Sequence, residues 1–165
     1  MARLMILVFA TMIWMNNNVY AQTKIEHNSE VERIYGKVFK VINPSPNFMK
    51  SCKSLYSTIK ITVTNNKIDS LVFIDEIPKG LLKSTDTLKK VFSKMDWQKV
   101  LPARHLSDRF EVFIPFLFSF EMRGCDDRID EKKIKYWFNK DVDESKATRY
   151  VELELLKVTM ATVVN

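Results

Sequence analysis

Apolar and polar positions along the chain fall into three patterns: one apolar run broken only by Thr11, two helical stripes and several alternating stretches. The first stripe is Val31, Ile34, Tyr35, Val38 and Ile42, spaced as one face of a helix. Ser29-Glu30-Val31-Glu32 before it reads as a capping box, and Asn43-Pro44 predicts its end. Residues 43–56 read as a loop. Thr58 to Thr64 then alternates, with Ile59, Ile61 and Val63 on one face. Asn65-Asn66 follows, and asparagine tolerates the positive φ of a two-residue hairpin turn. Folding the return strand, Lys67 to Asp75, about that turn sets Val63 opposite Ile68, Ile61 opposite Ser70 and Ile59 opposite Val72. Leu71 and Phe73 then face the other side.

A second stripe, Leu88, Val91, Phe92 and Met95, predicts a helix capped by Ser84 or Thr85, with Trp97 closing its end against the core. Arg109 to Met122 carries Phe110, Val112, Ile114, Phe116, Phe118 and Phe120 at period two. Pro115 has no amide hydrogen, so this strand is expected at a sheet edge or with a bulge. In the tail, Lys133 to Phe138 reads as a strand and Asn139 to Thr148 as a polar loop. A final alternating segment has Val151, Leu153 and Leu155 inward, with a phase shift at Leu156 of the kind a bulge produces. These two tail segments read as a second hairpin.

The apolar run Leu4 to Met15, after Arg3 and before Val19-Tyr20-Ala21, has the layout of a cleaved export signal over residues 1–21. At about 1.5 Å rise per residue it is too short to cross a bilayer core of about 30 Å. No stable membrane insertion is expected after cleavage, and the remaining residues 22–165 suit one domain. Removing Arg3 from a net charge of +6 leaves +5. Export takes the chain away from nucleic acid, and the lysines fall singly, as solvated positions do. Cys52 and Cys125 are the only cysteines, and an oxidising compartment, periplasmic or extracellular, permits their pairing.

Residues 57–121 resemble the TonB C-terminal domain family. The resemblance rests on the hairpin STIKITVTNNKIDSLVFIDE, the helix TLKKVFSKMDW with its terminal tryptophan, and the strand FEVFIPFLFSF. Asn65-Asn66 stands where the family has glycine, Trp97 and Pro102 are further apart, and no Tyr-Pro motif opens the unit. No proline-rich spacer accompanies it, so energy transduction is excluded from the expectations. The resemblance implies an α+β fold: a small antiparallel sheet with two helices packed on one face. It also implies that the hairpin's first strand lies between its partner and the long strand. The C-terminal extension, 126–165, adds the second hairpin. In that arrangement Cys52 and Cys125 fall at the same end of the sheet and form a disulfide.

No constellation for chemistry emerges. His105, Ser107 and Asp108 are too close together in one loop to form a triad, and His27 has no neighbouring ligand. Asn139, Asp141 and Asp143 imitate a calcium loop, but Glu144 stands at the position of its glycine and Tyr150 at that of its glutamate. Asp126, Asp127, Asp130 and Glu131 read as a solvated connector, and three glycines are too few for a phosphate cradle. No catalytic, cofactor or metal site is expected. The chain reads as a non-catalytic envelope protein that binds an unidentified envelope protein by strand addition at a sheet edge. Phe113 and Leu117, opposite the phenylalanine stripe, are the expected contacts unless the C-terminal hairpin covers them. The alternative is a secreted carrier of an apolar small molecule, suggested by 11 phenylalanines and 8 methionines.

Overall fold

Two asparagines with positive φ, Asn65 at 50° and Asn66 at 64°, turn the chain from β2 (Leu55–Thr64) into β3 (Lys67–Phe73). The computed structural model describes residues 21–161 except 79, 83, 102–108, 122–123, 126, 128 and 146–148. The part of the expected export signal up to Tyr20, the His105 loop and Asp126 therefore lie outside the described residues. Val63 pairs with Ile68 as expected, but the register then slips, leaving Asp69 as the extra residue. Beyond the bulge Ile61 meets Leu71 and Ile59 meets Phe73. Leu71 and Phe73 thus share the face of Ile59 and Ile61, and Ser70 and Val72 take the other. The simple register missed this because a one-residue bulge inverts every later side chain.

Asn28, not Ser29, caps α1 (Ser29–Val41), its side chain accepting from the amides of Glu30 and Val31. The expected capping box is therefore not the one used. The segment read as a loop contains α2 (Pro46–Ser51), capped by Ser45, and the start of β2. Ser84 caps α3 (Thr85–Phe92), and Trp97 opens a short α4 (Trp97–Val100), where it is buried against Phe110. β4 (Phe110–Glu121) pairs antiparallel with β2, Ile114 opposite Ile59. The hairpin's first strand thus lies between its partner and the long strand.

The tail departs from expectation. Glu131–Glu144 is a helix, α5, not a strand and loop, and its N-cap is Asp130. Its buried residues Ile134, Phe138 and Val142 repeat every fourth position, which outweighs the strand preference of the short Tyr136-Trp137-Phe138 run. There is consequently no second hairpin. β5 (Arg149–Leu153) and β6 (Leu156–Ala161) both run parallel to β4 and pair with the same side of it. β1 (Ala21–Ile25), which starts at the last residue of the expected signal and has no strand predicted for it, adds parallel to β5. The sheet is mixed and has six strands, in the order β1-β5-β4-β2-β3 with β6 also on β4. It is larger than the small antiparallel sheet expected, and five helices accompany it among the described residues, not two.

Pro115 is not on an edge strand. The Thr58 carbonyl accepts from Ile74 N–H of the β3 side, so Thr58 and Pro115 face each other as a non-hydrogen-bonded pair. The missing proline N–H therefore points at the β5–β6 side. There the tail takes four steps from Glu152 to Leu156 while β4 takes three from Phe113 to Phe116. A bulge does form, but on the partner strand. Within it, the Glu154 carbonyl accepts from the Tyr35 hydroxyl at 2.7 Å.

The two faces of the sheet carry separate cores. The larger joins α1 to α4 to the Phe110–Phe120 stripe and to Ile59, Ile61, Val151 and Leu153. The smaller lies under α5 and contains Tyr56, Phe113, Leu117, Ile134, Phe138 and Val142.

Candidate binding surfaces

Phe113 and Leu117, expected at a contact surface, are 0% and 4% exposed. Helix α5 covers them, and they belong to the protein's own second core. The expected contact is corrected here: strand β4 has neighbours on both sides, so neither its edge nor this face offers a partner a place to dock.

Beneath α5 lies a chain of polar groups. Tyr56 Oη is 2.8 Å from Thr58 Oγ1, and that hydroxyl donates to the Asp141 carboxylate. Burial raises the Asp141 pKa above the ordinary carboxylate value, with the negative charges of Asp75 and Glu144 adding to it. Burial likewise pushes the Tyr56 phenol well up. Through these two hydroxyls the Asp141 carboxylate ties α5 to β2. Asp141 therefore belongs to no calcium loop: Asn139, Asp141 and Asp143 all lie on α5.

The remaining sequence-singled acids are equally local. Asp127 accepts from the Ser54 amide at 2.8 Å, and Asp130 caps α5 through the Lys132 amide at 2.9 Å. Among the described residues no group of three His, Cys, Asp or Glu side chains converges as metal ligands. Cys52 and Cys125 are joined, with their Cα atoms 5.2 Å apart. Their bond ties the end of α2 to the chain just after β4.

Two features stand open among the described residues. The first is the outer side of β3, the last strand in the order. Because Ile74 N–H donates inward to Thr58, the alternation of an antiparallel ladder turns the N–H and C=O of Leu71 and Phe73 outward. Val72 and Ile74 beside them are 48% and 36% exposed.

The second is a cleft of about 920 Å³ at the opposite end of the sheet, between α5 and the β1–β5 pair. Ile134, Phe138, Val142, Pro115 and Leu155 supply apolar lining. Tyr150 stacks edge-to-face on Phe113 at 5.6 Å and contributes to the same wall. Lys24 and Glu26 form an ion pair at 2.6 Å, which raises the lysine pKa and lowers that of the glutamate. His27, expected to have no neighbouring ligand, lies at this cleft. Sequence reasoning missed the cleft because, of the elements that build its two sides, β1 carries no pattern of its own and α5 reads as a strand and loop.

The described residues contain no helix long and apolar enough to cross a membrane. No family model, no curated protein and no solved structure matches this chain.

Proposed function

We propose that this is an exported protein that works by contact, its β3 edge accepting an extended strand from an envelope protein. The observation that carries the reading is the set of outward-turned backbone groups of Leu71 and Phe73 beside exposed Val72 and Ile74. Unpaired strand amides and carbonyls bind a further strand through main-chain hydrogen bonds, and neighbouring apolar side chains add selectivity. Export is supported by the Arg3–Ala21 pattern and by the joined cysteines, which suit an oxidising compartment. A TonB C-terminal-like unit at 57–121 is supported by the β3-β2-β4 order with α3 between hairpin and long strand.

The test is a photo-crosslinking residue at Val72 in the full chain, expressed and exported in cells. One discrete adduct in the envelope fraction, lost on Ile74→Asp at unchanged melting temperature, is expected. No adduct, or one indifferent to Ile74→Asp, overturns the reading.

A further inference from the structure

The helices over the large core carry a charge that the rest of the chain does not. Residues 29–54 and 77–101, which contain α1 to α4, hold 11 Lys and Arg against 4 Asp and Glu. All other residues from 22 onward hold 14 against 16, so the positive excess resides in these two segments. On the opposite face α5 is balanced: Lys132, Lys133, Lys135 and Lys140 share it with Glu131, Asp141, Asp143 and Glu144.

The fold turns that excess outward. Ile34, Tyr35 and Val38 of α1 are buried, which leaves Arg33, Gly36, Phe39 and Lys40 as one exposed line along the helix. On α3, Leu88, Val91 and Phe92 are buried while Lys90 is exposed, as is Lys94 just beyond the helix end. Arg33 Nη2 donates to the Lys94 carbonyl at 2.9 Å, and Ile42 bridges Leu82, so the two helices lie side by side and antiparallel. Arg33 and Lys99 are paired locally, with Glu30 and Asp96. Among the described residues Lys37, Lys40, Lys50, Lys90 and Lys94 join no ion pair. Of the layer's four acids, only Glu32 and Asp86 are left to offset them.

Cations strung along neighbouring helices, rather than gathered round one point, match an extended anionic surface. Phe39, 45% exposed in their midst, adds an aromatic side chain of the kind that enters a lipid head-group boundary. We infer that the outer face of α1 and α3 lies on an anionic lipid bilayer, with Lys40, Lys90 and Lys94 at lipid phosphates and Phe39 at the acyl boundary. Val72 faces the other side of the sheet, so strand addition at β3 is a separate event.

The experiment follows co-sedimentation of the full chain with vesicles of phosphatidylcholine, or of an equal mixture with phosphatidylglycerol. Expected is a preference of about a hundredfold or more for the mixed vesicles, weakening as salt rises. An apolar run such as Leu4 to Met15 favours both compositions alike and cancels from that ratio. Lys40→Gln, Lys90→Gln and Lys94→Gln together should remove most of the preference, about fivefold per lysine. The same change on α5, Lys132→Gln with Lys133→Gln and Lys135→Gln, should leave it within about twofold. Phe39→Ser should weaken vesicle binding severalfold and leave binding to heparin, a polyanion without a bilayer, unchanged. On the unaltered protein, spin-labelled lipid head-groups should broaden the amide resonances of Phe39 and Lys90 more than that of Tyr136, a readout independent of how the variants fold. No preference for anionic vesicles, equal losses from the two triple variants, heparin binding as tight as vesicle binding, or broadening centred on α5 overturns the inference.

Discussion

The two faces of the sheet are covered by different means. On one, four helices bury a continuous apolar stripe, in which Ile34, Ile59, Ile61, Phe92, Val112, Ile114 and Phe118 are at most 1% exposed. On the other, one helix lies over a mixed surface, where Phe113 and Leu117 alternate along β4 with the large core's side chains and Asp141 reaches Thr58. Lys60 also sits on this side, paired with Glu111 at 2.7 Å and 5.7 Å from the Phe113 ring centre. The first face is held by volume and area, the second by fewer apolar contacts and a buried carboxyl. The cleft is bounded by this more polar layer.

The largest expected effects separate the two cores. Phe118→Ala, in the large core, should cost about 3–5 kcal/mol in urea unfolding, while Leu117→Ala should cost about 2–3 kcal/mol because a thinner layer collapses more readily around the gap. Equal costs would remove the distinction. Replacing Cys52 and Cys125 together by serine should cost about 2–5 kcal/mol, since their bond closes a loop with a sequence separation of 73.

Two carboxylates sharpen the comparison through pH. Glu30, on the large-core side, accepts hydrogen bonds from Arg33 Nε and Nη2, each at 2.6 Å, and from the Asp96 amide at 2.7 Å. The Arg33 hydrogen bonds lead in holding its pKa at about 2, against an ordinary 4.5. The native state therefore binds fewer protons than the unfolded chain, and this stabilisation is present above 4.5 and is lost as pH falls toward 2. Glu30→Gln should lower the melting temperature at pH 7 but change little near pH 2. Asp141 has the opposite sign. Its raised pKa means the native state binds the extra proton, so stability falls as pH rises from its ordinary value of 3.8 through the raised one. Asp141→Asn should be stabilising at pH 7, of order 1 kcal/mol, and should flatten that part of the melting profile. The smallest effect is expected at the open edge: Val72→Lys should change stability by less than about 0.5 kcal/mol while abolishing capture through β3.

The legible parts of the fold were those where one periodicity ran uninterrupted. Val31 to Ile42, Leu88 to Phe92 and Phe110 to Phe120 each repeat one period against one core, and each element lies where its pattern put it. Two kinds of local signal misled. A bulge at Asp69 shifted the hairpin register without a glycine to mark it. In α5, strand-favouring aromatics sit within a helix whose apolar positions are spaced by four, and only packing under the sheet reveals their order. The candidate sites were the least legible. β1 is a short strand that gains meaning only from its neighbour β5, and the openness of β3 depends on where every other strand has gone. Phe113 and Leu117 looked available for the same reason: nothing local shows that the later helix Glu131–Glu144 lies across them.

Amide hydrogen exchange, read residue by residue on the isolated protein, tests the openness of β3 most directly. Leu71 and Phe73 amides should exchange roughly a hundredfold faster than that of Ile74, which donates to Thr58. Equal protection of all three would mean that the outer side of β3 is already paired, and strand addition there would be contradicted.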